Sequence, residues 1–330
     1  MSTTKTDRGS LRQNLTTLDV HLGRSKNARA RELAPVVSSI ALACKAIAGK
    51  VRRARIEDIL GEVGEVNVQG EEQQKLDVIS NDLMVHTLSA CPAVGVLASE
   101  EEDAAIVVRP RSDGGEFVVL FDPLDGSSNI DVAAGVGTIF SVLRNEEADE
   151  ETAKAALQPG HRQVAAGYVL YGSSVLMVLT LGDGVDMFVL DPMLGEFVLV
   201  KERVTIPDTK KIYSINEAYR EDFPEGIQRY LDHAHSSGYA LRYIGSMVAD
   251  VHRTLLKGGV FLYPPTAKAP EGKLRLMYEG NPMAMVIEQA GGVAGTGAQR
   301  ILEIHPAELH QRCPVVLGSS GEVDVVARHH

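Results

Sequence analysis

The run "FVVLFDPLDGSSNID" (117–131) takes five apolar residues into Asp122 and Asp125, then into Gly126, Ser127, Ser128 and Asn129. Small residues after a strand suit a backbone nest or helix start that receives an anion. Carboxylates beside an anion conflict unless a cation lies between them. Pro123 disfavours helical geometry at Asp122, so the strand direction is expected to persist to Asp122 before the chain turns. Pro-Leu-Asp-Gly fits an ordinary surface turn equally well.

A second strand, "VGVLASEED", ends in Glu100 and Glu101. Adjacent side chains on extended backbone point to opposite faces, so one glutamate is expected to bind metal while its neighbour orients water. A solvated strand end is the plain alternative. If these acids converge, two charges about 4 Å apart repel by about 4 kcal/mol at an effective dielectric near about 20. Oxygen-only donors, with no His or Cys cluster, indicate Mg²⁺ or Mn²⁺ rather than zinc. His233, His235, His305 and His310 have no supporting cysteines and read as surface or cap residues.

In "EGKLRLMYEG", extended backbone puts Lys273 and Arg275 on one face, both free to meet one phosphate, with Glu279 four residues later. A charged edge strand accounts for the same spacing. In "LRYIGSM", Arg242 and Tyr243 enter a Gly-Ser helix start, which suits packing or a second anion contact. The sequence has no Gly-x-Ser-x-Gly elbow, Walker A loop or Gly-x-Gly-x-x-Gly after a strand, which disfavours nucleophilic serine, nucleotide hydrolysis and dinucleotide binding.

These residues need elements to hold them. The 330 residues are 44% hydrophobic and 23% charged, ordinary globular usage. Residues 1 to about 30 read as a polar lead-in. Val37, Ile40, Cys44, Ile47 and Val51 form a helical stripe starting near Pro35, and Leu76, Ile79 and Leu83 mark a second helix closed by Cys91-Pro92. Gly61 to Gln74 reads as a long mobile loop. Strands are expected at "AVGVLAS", "FVVLF", "VGTIFSVL", "AAGYVLY" and "VLMVLTL". The last two make up Val164 to Gly182, uncharged but broken by the turn "YGSS", so two strands suit it better than one membrane helix. Arg144 to Gln163 reads as a solvated connection, and "VLVKERVTIPDTKKIY" as another. An α+β part (1–200) and an α/β part (201–330) follow.

The net charge of −11 argues against nucleic acid or an anionic membrane as the main partner. Cys44, Cys91 and Cys313 read as reduced buried thiols, and "MSTTKTDRGSLRQN" lacks an apolar signal segment, so a cytoplasmic protein is expected. The terminal His329-His330 fits no motif.

In order along nearly the whole chain, "LDVISNDL", "SEED", "FDPLDGSSNID", "LQPG", "AAGYVLYG", "DPMLGEF", "YSINEAY", "RYIGSMVADVHRTL", "GKLRLMYEGNPMA" and "HQRCPVVLGS" resemble class I fructose-1,6-bisphosphatase. Asp-Pro-x-Asp-Gly is shared with inositol monophosphatases; the Ser-Ser-Asn continuation and "GKLRLMYE" point to the fructose bisphosphatase branch. The resemblance implies a five-layered α/β/α/β/α sandwich, a homotetramer, and Mg²⁺-dependent hydrolysis of fructose 1,6-bisphosphate in gluconeogenesis or the Calvin cycle. Carried over by motif, it implies metal binding by Glu100, Asp122, the Leu124 carbonyl, Asp125 and Glu279, with Glu71 at a further metal position. It assigns Asp77 and Glu101 to the attacking water. Gly126, Ser127 and Ser128, beside Asp125, would hold the 1-phosphate, with Arg275 reaching toward it. Asn216, Tyr219, Tyr243, Tyr263 and Lys273 would hold the 6-phosphate, joined by Arg242 of a neighbouring subunit.

The chain departs from that pattern where animal members bind inhibitory AMP: their Thr-Gly-Glu reads Ala30-Arg31-Glu32, and their Lys-Tyr reads Glu116-Phe117, although Arg144 matches. Weak or absent AMP inhibition is expected. The chloroplast cysteine insertion is missing, so thioredoxin control is not expected. Sedoheptulose-1,7-bisphosphatase activity is a rival reading, and a non-catalytic sugar-phosphate sensor a more distant one.

Overall fold

The computed structural model describes residues 15–66, 72–146 and 149–329. Helix α1 (Leu18–Arg24) starts on Thr17, whose hydroxyl accepts the Val20 N–H, and α2 (Ala28–Arg53) starts on Asn27, which accepts the Arg29 N–H. The long helix thus begins before Pro35 and carries that proline inside, because Asn27 caps it and Ala30 and Leu33 extend its buried stripe. By length and composition α2 passes for a membrane span, yet its apolar side chains pack in a protein core.

The stretch read as a loop contains β1 (Glu62–Val66) paired antiparallel with β2 (Glu72–Gln74), then runs straight into α3 (Lys75–Ser89). Glycine and glutamate conceal that ladder, whose bonds are main-chain. There follow β3 (Val94–Ser99), β4 (Ile106–Val107), β5 (Phe117–Asp125), β6 (Val136–Arg144), β7 (Ala165–Tyr171), β8 (Val175–Thr180), β9 (Val185–Asp191) and β10 (Glu196–Lys201). They form one sheet in the order β10-β9-β8-β7-β6-β5-β3-β4. Two expected connections are more ordered than their composition suggests. Residues near 200 supply edge strand β10, and the acidic segment after Arg144 buries Ala155 and Ala156 completely.

The rest of the chain supplies β11 (Ile212–Ser214), α4 (Glu225–Ser236), β12 (Ala240–Leu241), α5 (Met247–Lys257), β13 (Val260–Tyr263), β14 (Leu274–Arg275), α6 (Asn281–Gln289), β15 (Val293–Gly295), β16 (Arg312–Cys313), β17 (Val315–Gly318) and α7 (Ser320–Ala327). A five-stranded sheet has the order β12-β11-β13-β17-β15.

Side-chain alternation along the strands builds the layers. On β5, Phe117, Val119 and Phe121 enter a core with α1, α2 and α3, while Val118 and Leu120 enter a second core with α5 and α6. On β13, Phe261 joins that second core, while Val260 and Leu262 face a third with α4 and α7. Helices, sheet, helices, sheet, helices: this is the five-layered α/β/α/β/α sandwich. Each completely buried phenylalanine contributes about 1.5–3 kcal/mol, and both faces of β5 are dry, so its carboxyl end is a rigid mount for charged groups.

Candidate active site

β5 carries its two aspartates across a bulge. Asp122 pairs with Ile139 but Asp125 with Gly137, three residues against two on β6, so β5 holds one extra residue. The strand therefore continues through Pro123 to Asp125, further than the proline led us to expect. Pro123 has no N–H to give a central ladder and sits in the irregular stretch, where that loss is tolerated. Its freed carbonyl accepts the Thr138 hydroxyl at 2.8 Å, and the Leu124 N–H turns to Asp122 Oδ1 at 2.9 Å.

Beyond the bulge the chain turns at Gly126, whose φ of 74° is left-handed. A Cβ there would stand 2.7 Å from the Ser246 Cβ, so no other residue fits without displacing that wall. A 3₁₀ turn, Ser127–Val132, follows. Asp125 is buried against α5: its carboxylate accepts the Ser246 hydroxyl at 2.8 Å, the Val248 N–H at 2.8 Å and the Met247 N–H at 3.3 Å. The Gly-Ser helix start noted in the sequence thus receives a protein carboxylate.

Glu100 and Glu101 lie in the turn after β3, outside the extended backbone, and both line one cavity of about 310 Å³. Their expected division between opposite faces is corrected on that ground. Asp77, on the first turn of α3, accepts the Gln74 N–H at 3.0 Å and opens onto the same cavity. So do Asp122, Leu124, Asp125, Gly126, Ser127, Ser128, Tyr243, Tyr263, Lys273, Arg275 and Glu279. A smaller adjoining cavity of about 200 Å³ shares Tyr263 and Lys273 and adds Asn216 and Tyr219. Arg242 lines neither; it is exposed, donating to the Leu241 carbonyl at 2.7 Å. Glu71 lies outside the described residues.

The electrostatics are those of crowded carboxylates. One oxygen each of Asp122, Asp125 and Glu279 falls within 4.8 Å of the others, and all three residues are buried. Burial, then repulsion from Glu100, pushes the Asp122 and Glu279 carboxyls well above the usual range. Burial raises Asp125 too, against the opposing pull of its Val248, Ser246 and Met247 donors. Burial first, and Glu101 next, lift Asp77 to about 7. Arg275 is a buried cation beside these carboxylates, 1% exposed, with Nε 3.7 Å from Glu100. Its backbone N–H donates to Glu279 at 2.5 Å, which orients that glutamate at the π turn of Leu276–Gly280. A buried donor set made only of oxygens fits a hard divalent cation, whose charge would offset this repulsion.

Sequence reasoning missed the supports. Asn81, one turn beyond Asp77 on α3, accepts the Ser99 hydroxyl at 2.7 Å and donates to Glu102 at 2.7 Å, while Ser99 Oγ accepts the Glu101 N–H at 3.2 Å. This relay ties α3 to the glutamate turn. The pairing of Asn81 with Ser99 joins distant segments and leaves no local signature.

A family model described as the N-terminal domain of fructose-1,6-bisphosphatase matches residues 14–202, and one described as its C-terminal domain matches 206–330. The chain belongs to the fructose-1,6-bisphosphatase family. Fructose-1,6-bisphosphatase 1 of Rattus norvegicus is 50% identical over 297 residues, 88% of this chain and 82% of that protein. The class 1 fructose-1,6-bisphosphatase of Chlorobium luteolum is 51% identical over 302 residues, 89% of this chain and 90% of that protein. The crystal structure of Leishmania major fructose-1,6-bisphosphatase in holo form matches with a TM-score of 0.91 at 42% identity, covering 95% of this chain and 98% of that one. The mixed α/β layering is therefore the fructose-1,6-bisphosphatase fold.

Proposed function

We propose that the chain hydrolyses fructose 1,6-bisphosphate to fructose 6-phosphate and phosphate, with a division of labour among the residues around the acidic cavity. The convergence of Asp77, Glu100, Glu101, Asp122, Asp125 and Glu279 beside the Gly126–Ser128 turn is the observation that carries this reading. Glu100, Asp122, the Leu124 carbonyl, Asp125 and Glu279 would hold Mg²⁺, or Mn²⁺ in its place. Bound there, such an ion neutralises phosphate charge and acidifies water.

The protein's own groups do the rest. Gly126, Ser127 and Ser128 receive the 1-phosphate oxygens, and the Arg275 guanidinium, beside Glu100, balances charge in the same cavity. Tyr243, Tyr263 and Lys273, with Asn216 and Tyr219 in the adjoining chamber, bind the distal phosphate and fix the reacting end. Asp77 and Glu101 orient the attacking water and take its proton. Phosphoryl transfer needs positioning and charge neutralisation more than covalent catalysis, and this wall supplies both.

The same reading makes residues 1–200 and 201–330 the two domains, with the cavity lined from both, and the working particle a cytoplasmic homotetramer in which Arg242 serves a neighbouring subunit's site. Phosphate release with Mg²⁺ from fructose 1,6-bisphosphate, sedoheptulose 1,7-bisphosphate and inositol phosphate tests it. Release from the first at the highest kcat/KM is expected. Preference for the seven-carbon sugar would reassign the substrate, and no release from any would leave a sugar-phosphate sensor.

A further inference from the structure

Asp250 has no part in the division of labour above, yet its carboxylate, 1% exposed on α5, borders the same cavity. It accepts four hydrogen bonds: the Ser214 hydroxyl at 2.9 Å, the Ile244 N–H at 2.9 and 3.1 Å to its two oxygens, and the Gly245 N–H at 3.0 Å. Both backbone donors belong to the turn between β12 and α5. That turn touches the site at several points. Tyr243 precedes it and lines the cavity, and the Gly245 carbonyl accepts Asn129 Nδ2 at 3.0 Å from the 3₁₀ turn that begins at Ser127. Ser246 ends it, donating to Asp125 and walling Gly126. Gly245 holds a left-handed φ of 88°, which glycine adopts freely, so the shape of this turn is set by its hydrogen bonds rather than by backbone strain.

We propose that Asp250 is a positioning residue for the reaction: by clamping the 244–246 turn, it holds Tyr243, Asp125 and the phosphate-binding turn in mutual register. The inference rests on the site reading given above. A buried carboxylate with three donors suits this task because it restrains without side-chain freedom, and Ser214 on β11 anchors it to the second sheet. Loss of one acceptor frees the Gly245 N–H inside the protein, and the turn relaxes to satisfy it elsewhere.

The test is Asp250→Asn in the full-length protein, with kcat, KM, melting temperature, and calorimetric affinity for fructose 6-phosphate without metal. Loss of a supporting shell predicts KM raised about tenfold, product binding weakened about tenfold, and a fall in kcat. A merely structural residue would lower melting temperature and active fraction while leaving KM and product affinity at wild-type values, and that result overturns the proposal. Should Asp250→Asn not fold, Gly245→Ala, which strains the same turn at the surface of the cavity, is read for the same rise in KM. Asp125→Asn is measured beside them. If it retains full turnover, the site reading falls; if it loses turnover while Asp250→Asn keeps wild-type KM and product affinity, only the Asp250 proposal falls.

Discussion

Arg144 donates two hydrogen bonds, one to each carboxylate oxygen of Glu32, at 2.7 and 2.6 Å, joining the end of β6 to the first turns of α2. Phe117 lies beneath the guanidinium, 5.6 Å from ring centroid to Cζ, and Glu116 adds negative charge nearby. An arginine engaged in this way, beside a further acid, is a poor receptor for a nucleotide phosphate. Micromolar AMP is therefore expected to leave phosphate release unchanged. Strong inhibition in that range would refute this. The pair is half exposed, so Glu32→Ala should cost about 1 kcal/mol or less in denaturant unfolding.

Turnover should respond to the water-facing acids more than binding does. Asp77→Ala and Glu101→Gln are each expected to lower kcat by about 10²–10⁴, the span of a lost general base, with fructose 6-phosphate affinity nearly preserved. Stopped assays beside calorimetry separate the two quantities. Equal kcat in either variant removes that residue from the proton path.

Without divalent metal, stability should fall as pH rises. Asp77 titrates at about 7 when folded against its ordinary 3.8, so the folded state binds more protons across that window and loses stability as they leave. Melting temperature in chelator should drop from about pH 4 to about pH 7, and Asp77→Asn should flatten the slope. Excess Mg²⁺ should raise the melting temperature most at the alkaline end, where the carboxylates are charged. A chelated protein whose melting point climbs with pH over this range would contradict the account.

The amino-terminal helix should show the same sign in a higher pH window. His21 Nε2 lies 2.9 Å from Asp186, and that hydrogen bond raises its pKa above 6.5. A raised histidine stabilises the fold below its ordinary value and loses that contribution as pH rises through the folded one. Wild type minus His21→Gln, compared by melting temperature, should shrink between mildly acidic and alkaline pH. A constant difference would show that the charge on His21 is immaterial.

How much of this the sequence disclosed depended on whether the signal was local. Apolar runs marked β3, β5, β6, β7 and β8, and acids at two strand ends marked Asp122, Asp125, Glu100 and Glu101. Which way those acids point was beyond periodicity, because Glu100 and Glu101 sit in a turn and Asp125 follows a bulge. Side-chain spacing rules hold only while the backbone stays regular. The β1–β2 ladder escaped because main-chain pairing needs no apolar pattern, while the apolar run of β10, Phe197 to Val200, was hidden by the charged residues that follow it. Asp250 lay in plain view within "VADVHRTL", but its Ser214 partner comes from a distant strand, and its Ile244 and Gly245 donors are main-chain groups with no side-chain signature.

The extra residue in β5 makes this corner sensitive to length. On an unbroken strand, positions three apart face opposite ways, so Asp122 and Asp125 would part company, one toward α3 and the other toward α5. Removing a single residue between them would restore regular pairing with β6 and leave the acids two apart on one face, but deleting Leu124 would take away the carbonyl assigned to the metal, and one added residue would turn Asp125 to the other face. Substitutions here can be graded by chemistry. Insertions and deletions cannot, and libraries or grafts that cross residues 122–125 should keep the count fixed.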